Sequence, residues 1–189
     1  MYIDKRTVNT IAALNESLVE LLNDKSLRKV TVKEICEKAD VNRSTYYRYF
    51  SDPQEQAMEL LKSILGEARD CIISYTETIE IMEGLEDFCI SFYDNKDAYL
   101  ALRENISTDD YAQMVEDMFR WRTLPFLGIM NGELGAAEED YVFDYAMNAA
   151  QTVIVKWLKD DADKVTAKTI ASFLYKSVFN ILTPAPNAA

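Results

Sequence analysis

Arg43, Ser44 and Thr45 follow directly on Asn42, a residue type suited to cap a helix. A guanidinium and two hydroxyls then crowd a first helical turn whose N–H groups have no intrahelical partner. Such groups donate to phosphate oxygens and to the acceptor edges of bases. The chemistry they offer is hydrogen bonding to double-stranded DNA, not bond-making. Catalysis has no comparable set of residues. The chain contains no His, which removes the usual general base and the commonest metal ligand. The carboxylate runs Asp109-Asp110 and Glu138-Glu139-Asp140 each stand at the start of an expected helix, where negative charge meets the helix dipole. They read as helix-start charges, not as an acid–base or metal site. Cys36, Cys71 and Cys89 are odd in number and widely spaced, so neither a disulfide framework nor a zinc pattern is expected. No catalytic residue, metal or cofactor is assigned, and the chain is not read as an enzyme.

Two short helices joined by a tight turn over residues 31–50 would position the donors. Thr31 can cap the first, with Glu34 three residues on returning a bond to the cap's own N–H; Val32, Ile35 and Ala39 would bury one stripe. Asp40 stands where a left-handed residue is wanted, a conformation that Asp tolerates. Val41 would plug the turn into the core, and Asn42 would cap the second helix. Before this motif, Val8, Ile11, Ala12, Leu14, Leu18, Leu21 and Leu22 recur at helical spacing from about Asp4 to Asn23. After it, Asp52 and Glu55 form a second capping pattern, with Pro53 at the first helical position, where its missing N–H costs nothing. That fourth helix is expected to run to about Ile81. Further helices are expected over 84–94, 96–104, 108–131, 138–160 and 166–182, with a disordered tail at 183–189. No convincing strand alternation and no internal repeat is present.

The stretch Thr31 to Phe50, with Ala39-Asp40-Val41-Asn42, Thr45-Tyr46-Tyr47 and the closing Tyr49-Phe50, resembles the DNA-binding signature of TetR-family (TetR/AcrR-type) transcriptional regulators. The resemblance covers about the first third of the chain. Beyond it, the run Ala149 to Leu158, ending Val155-Lys156-Trp157-Leu158, is similar to a C-terminal type common in Gram-positive members. The resemblance implies an all-α fold: an N-terminal three-helix helix-turn-helix domain (1–52), joined by a long helix to a helical ligand-binding and dimerisation domain (53–182). It implies base-edge contacts from Lys33, Arg43, Ser44 and Tyr46, and phosphate contacts from Thr31, Thr45, Tyr47 and Tyr49, supported by Thr7. Phe50 and Val41 would be core. Two positions depart from the family pattern: Pro53 stands where a phosphate-binding Lys is usual, and Gln56 where an apolar Leu is usual.

The formal net charge of −12 argues at first against a nucleic-acid partner. Residues 1–52, however, carry nine Lys/Arg against eight Asp/Glu, so the acid is concentrated in residues 53–189, with eleven against twenty-four. A helix from Pro53 to about Ile81 would span roughly 40 Å, several Debye lengths of about 8 Å, so local charge decides. The N-terminus lacks the apolar core of a signal peptide and no apolar run is long enough to span a membrane, so a cytoplasmic protein without a membrane partner is expected.

In the remaining two thirds, Phe88, Phe92, Tyr93, Met114, Met118, Trp121 and Phe126 supply large, adaptable apolar surface, suited to an unknown small apolar effector between helices. The last two helices are unusually apolar. Tyr145, Ala149, Val153, Trp157, Phe173, Ser177 and Val178 would meet a second copy, the small residues allowing close approach. A two-fold homodimer would also read paired half-sites about one helical turn apart. The resulting expectation is a ligand-responsive regulator, most often a repressor in this family, in which effector binding tilts the fourth helix. The rival expectation is a helical protein-interaction module that keeps the fold without binding DNA.

Overall fold

The computed structural model describes residues 5–75, 81–131, 136–160 and 164–179, with side chains for all of these except 73–75, 121–131, 136–137 and 178–179. Among them the elements are nine α-helices and no strand. Helix α1 spans Lys5–Asp24, α2 Val32–Ala39, α3 Arg43–Tyr46, α4 Pro53–Tyr75 and α5 Ile81–Asp94; α6 spans Lys96–Asn105, α7 Thr108–Asn131, α8 Ala136–Lys159 and α9 Ala167–Leu174. A 3₁₀ turn, Leu27–Lys29, lies between α1 and α2, and α9 continues into one π-helical turn, Tyr175–Phe179. The sequence periodicity placed most helix bounds to within a few residues, with the end of α4 off by six, and missed both short turns; residues 180–182 of the last expected helix lie outside the described residues. Ile81, expected at the end of α4, is instead the first residue of α5. The tail at 183–189 lies outside the described residues.

The chain divides into two compact units, Met1–Ser63 with Asp97–Tyr111, and Ile64–Lys96 with Ala112–Ala189. These units do not coincide with the functional division expected after residue 52: the first takes in the opening turns of α4 and, from far along the chain, α6 and the start of α7. Its core has one stripe of α1, Leu14, Leu18 and Leu22, with Leu27, Ile35, Cys36, Tyr46, Phe50, Ala57, Leu61, Tyr99 and Leu102. Each fully buried aliphatic side chain contributes about 1.5–3 kcal/mol. α6 is tied in by its last residue, Asn105, whose Oδ1 accepts the Leu27 N–H at 2.9 Å while its Nδ2 donates to the Ala101 carbonyl at 2.9 Å. Beneath it, the buried hydroxyls of Tyr99 and Tyr111 share a hydrogen bond of 3.0 Å, and the Arg103 guanidinium lies 4.0 Å over the Tyr111 ring.

In the second unit α5 packs most extensively on α9, and α8 packs on both. α8 contributes Phe143, Ala146, Ile154 and Trp157 to the core at helical spacing. The Arg120 guanidinium of α7 pairs with Asp140 of α8 and lies 5.4 Å from the Phe143 ring centroid; Glu116 pairs with it at 3.2 Å. Asp140, read from sequence as a helix-start charge, is thus an interhelical ion-pair partner. No helix is long and apolar enough to cross a membrane, among the described residues.

Candidate nucleic-acid interface

The helix-turn-helix is built by local chemistry. Thr31 adopts an extended conformation and accepts the Glu34 N–H at 3.3 Å, while Glu34 Oε2 accepts the Thr31 N–H at 3.0 Å, so the capping box is present. α2 ends at Asp40, with φ 53° and ψ 43°, the one non-glycine residue of positive φ among the described residues. The Val41 N–H returns to the Cys36 carbonyl at 3.0 Å and closes the turn. Asn42 sits at the start of α3 in the expected extended conformation, but its side chain makes no capping bond. Its carbonyl does the work instead, accepting the N–H groups of Thr45 and Tyr46 at 2.9 and 3.1 Å.

α3 is a single α-turn, and aromatic anchoring fixes which way it faces. Tyr46 is 0% exposed, tilted against Phe50 with ring centroids 5.7 Å apart. With that ring turned inward, Arg43 and Ser44 are exposed, Thr45 is half-buried, and Tyr47 is 57% exposed, edge-on to Tyr46. Tyr46 is accordingly corrected from a base contact to a core residue: a side chain with no accessible surface cannot reach a base edge. Val32, Ala39 and Val41 are only half-buried, and Cys36 takes the core place beside Ile35.

The structure brings together two residues assigned to phosphate, Thr7 and Tyr49, whose hydroxyls lie 3.5 Å apart. Arg48 lies beside them, exposed, its guanidinium 5.8 Å from the Tyr49 ring centroid. Sequence reasoning left Arg48 out of the contact set; a cation next to an aromatic pair at the end of a recognition helix was the available signal. Lys33 is exposed and pairs loosely with Glu37 at 3.7 Å. Thr31 is placed differently: its N–H and its hydroxyl proton both go to Glu34, the latter at 2.8 Å. It supports the interface as a cap and has no donor left for a phosphate. Lys25, from beyond α1, completes the arrangement by pairing with Glu34 Oε1. The hydrogen bond from Lys25, then those from Thr31, hold the Glu34 carboxyl down at about 2. Gln56 is fully buried, as the usual Leu would be; its Nε2 donates to Asn15 Oδ1 at 3.2 Å.

The effector and dimer candidates lie in the second unit. Phe88 and Phe92 are buried, edge to face at 5.0 Å, and Met114 is buried. Met118 is half-buried, and its Cε would lie 3.6 Å from a Cβ added at Gly66, so the glycine leaves room beside a flexible thioether. Tyr93 is 40% exposed and lies over Trp157 with ring centroids 5.9 Å apart. The Trp121 and Phe126 side chains fall outside the described residues. Trp157 is corrected from a dimer anchor. It is 5% exposed within its own protomer, its Nε1 donating to the Val165 carbonyl at 2.7 Å. Phe173 and Tyr145 are 54% and 48% exposed, and Tyr141, one turn before Tyr145 on the same apolar helix, is 77% exposed. Ala149, Val153 and Ser177 are half-buried; the Val178 side chain is outside the described residues. No group of His, Cys, Asp and Glu fit to hold a metal occurs among the described residues.

Residues 16–55 match the family described as bacterial regulatory proteins, tetR family. The chain is 27% identical over 156 residues to the HTH-type transcriptional regulator YxbF of Bacillus subtilis (strain 168); the match takes in 80% of this chain and 40% of that protein. The chain therefore spans well under half the length of this curated relative. Its fold is similar to that of the fatty acid degradation regulator FadR from Bacillus halodurans, with a TM-score of 0.68 at 16% identity over 95% of this chain and 97% of that one. It is also similar to a tetR-family transcriptional regulator from Streptomyces coelicolor, with a TM-score of 0.62 at 16% identity over 94% and 80%. The dihydroxyacetone kinase operon activator DhaS gives 0.58 at 13% identity over 93% and 98%.

Proposed function

We propose that the chain is a DNA-binding transcriptional regulator of the TetR type, a reading supported by the match over residues 16–55, and that it binds a pseudo-palindromic operator as a homodimer and is released by a small apolar effector. The match over residues 16–55 supports a regulator over an enzyme. One observation carries the DNA-binding reading: burial of Tyr46 turns Arg43, Ser44 and Tyr47 outward on one short helix, with Arg48 and the Thr7–Tyr49 pair beside them. That set combines a bidentate donor for guanine with hydroxyl donors for phosphates. Cytoplasmic residence is part of the same proposal, since the operator lies there.

Two-fold reading of half-sites calls for a dimer, and Tyr141, Tyr145 and Phe173 offer the exposed aromatic surface for one. The effector reading rests on Phe88, Phe92, Met114 and Met118 near Gly66. A ligand can release DNA only by binding the two states of the protein with different affinity. α4 contributes residues to both units and is the element through which we route that difference. Repression is the reading we adopt for the sign of regulation, as the commonest role in this family.

The test is to mix the purified protein with fragmented DNA of its own genome, sequence what it retains, and titrate the recovered site over salt concentration. A recovered inverted repeat with a steep salt slope is expected. Retention of no site, with flat binding at low salt, would leave the protein-interaction module as the better reading, which the acidic balance of residues 53–189 and Pro53 favour.

A further inference from the structure

We propose that Glu34 sets how well the head distinguishes its operator from other DNA, by holding Lys25 back from the phosphate backbone. The inference rests on the DNA-binding reading above and adds a specificity-determining pair to it. Lys25 follows the last residue of α1, and its Nζ reaches Glu34 Oε1 on α2. The other oxygen of the same carboxylate accepts the N–H and the hydroxyl of Thr31 at 3.0 and 2.8 Å. A single carboxylate thus closes the N-terminus of α2 and captures a lysine from another element. Four cations stand between residues 25 and 33. Arg28, Lys29 and Lys33 are exposed, whereas Lys25 is turned inward onto the acid, its side chain 24% exposed.

A lysine released at this place would add a phosphate contact without reading any base. In a sequence-specific complex the register of the head is fixed by α3, so the added cation gains only what that register allows. In a non-specific complex the head settles wherever charge is best satisfied, and the cation gains in full. Releasing Lys25 therefore narrows the gap between operator and competing DNA. α2 has other anchors besides this pair: Ile35 and Cys36 are buried in the core. Its other end is secured to α1 by Lys38 and Glu20 at 2.6 Å, and Gln serves at the third helical position of a capping box as Glu does.

The wild-type protein, Glu34→Gln and the double variant Lys25→Met/Glu34→Gln are titrated against a random-sequence duplex and against the operator recovered from genomic DNA, from about 50 to about 200 mM salt. Glu34→Gln is expected to bind the random duplex about three- to ten-fold tighter at the low end. Its slope of log K against log salt should steepen by about 0.9, and its operator preference should fall. The double variant should return slope and preference to the wild-type values. A double variant that keeps the gain would assign the effect to the lost negative charge and overturn the proposal, as would a Glu34→Gln slope equal to wild type. Lys25→Met alone, which leaves the cap whole, is the second probe. An unchanged slope is expected, and a slope shallower by about 0.9 would mean that Lys25 already contacts phosphate. Wild-type protein that binds neither duplex overturns the DNA-binding reading and this inference together.

Discussion

In the unit that carries the helix-turn-helix, the starts of α2, α4 and α7 are closed by side chains three residues apart; in the second unit Thr166 closes α9 in the same way. Glu34 N–H bonds to Thr31, Glu55 N–H to Asp52 at 2.9 Å, and Asp110 N–H to Ser107 at 3.1 Å. In the second unit much of the cohesion comes from rings and charges that meet across long stretches of chain, such as Tyr93 on Trp157 and Arg120 between Asp140 and Phe143. Caps contribute about 1 kcal/mol each and fix a backbone to within one residue. Aromatic and thioether packing is less directional and tolerates rearrangement. On the proposed function, the first unit would present one surface to a regular duplex and the second would accommodate a partner copy and an effector.

The comparison is tested most severely at the exposed aromatics of the second unit. Tyr145→Glu with Phe173→Glu should convert a dimer into monomers in sedimentation. Operator affinity should then fall by about 10²–10⁴-fold, because two linked reading heads become two separate ones. An intact dimer would move the interface to another face. Trp157 is unsuitable for this test, since charging a residue buried in its own protomer would unfold it.

Next in size is the interior of the same unit. Phe92→Ala removes a buried ring packed on Phe88 and should lower stability in urea by about 3–5 kcal/mol, whereas Tyr93→Ala, half in solvent, should cost clearly less. A loss at Phe92 near 1 kcal/mol, with an altered effector response, would indicate that the ring faces a cavity.

The same contrast explains what could be read from the residues alone. Thr31, Glu34, Asp40 and Pro53 announced their roles because caps, left-handed turns and first-turn prolines are decided within four residues. Asp52 and Glu55 show the limit of that precision: the Asp52 carboxylate caps as expected, but Glu55 returns its bond to Ser51 N–H at 2.6 Å, one residue early. Tyr46 was misassigned because a one-turn helix has too few residues for periodicity to say which face turns in. Trp157 was misassigned because a large apolar residue on a late helix suits a core and an interface equally, and the Val165 carbonyl decides between them only in three dimensions. The recruitment of α6 into the first unit had no local signal at all, since Asn105 meets Leu27 across 78 residues.

Asn105 supplies the third prediction. Asn105→Ala leaves the Leu27 N–H without its acceptor and should cost about 1–3 kcal/mol of stability. Chemical-shift changes around Leu27 should accompany it; their absence would assign the loss to α6 alone. A smaller effect is expected from pH. The Glu34 carboxyl is lowered from the ordinary 4.5 to about 2, so its contribution is fully present above about 4.5 and is lost as pH falls toward about 2. The difference in melting temperature between wild type and Glu34→Gln should therefore shrink over that window. A constant difference down to pH 2 would show that the carboxylate is not what Lys25 and Thr31 hold.

The smallest effect is expected at the position where reading the sequence went wrong. The Tyr46 hydroxyl is buried without a hydrogen-bond partner, and so is Gln56 Oε1. A buried polar atom without a partner costs about 1–3 kcal/mol from mutational data, and replacing it by an apolar group of the same shape is neutral or stabilising. Tyr46→Phe keeps the ring against Phe50 and removes only the oxygen. It should shift stability by less than about 1 kcal/mol, toward gain, and leave operator affinity unchanged. Loss of affinity in a protein of unaltered stability would restore Tyr46 to the reading surface. A stability loss above about 1 kcal/mol would mean that the hydroxyl is satisfied by an internal water.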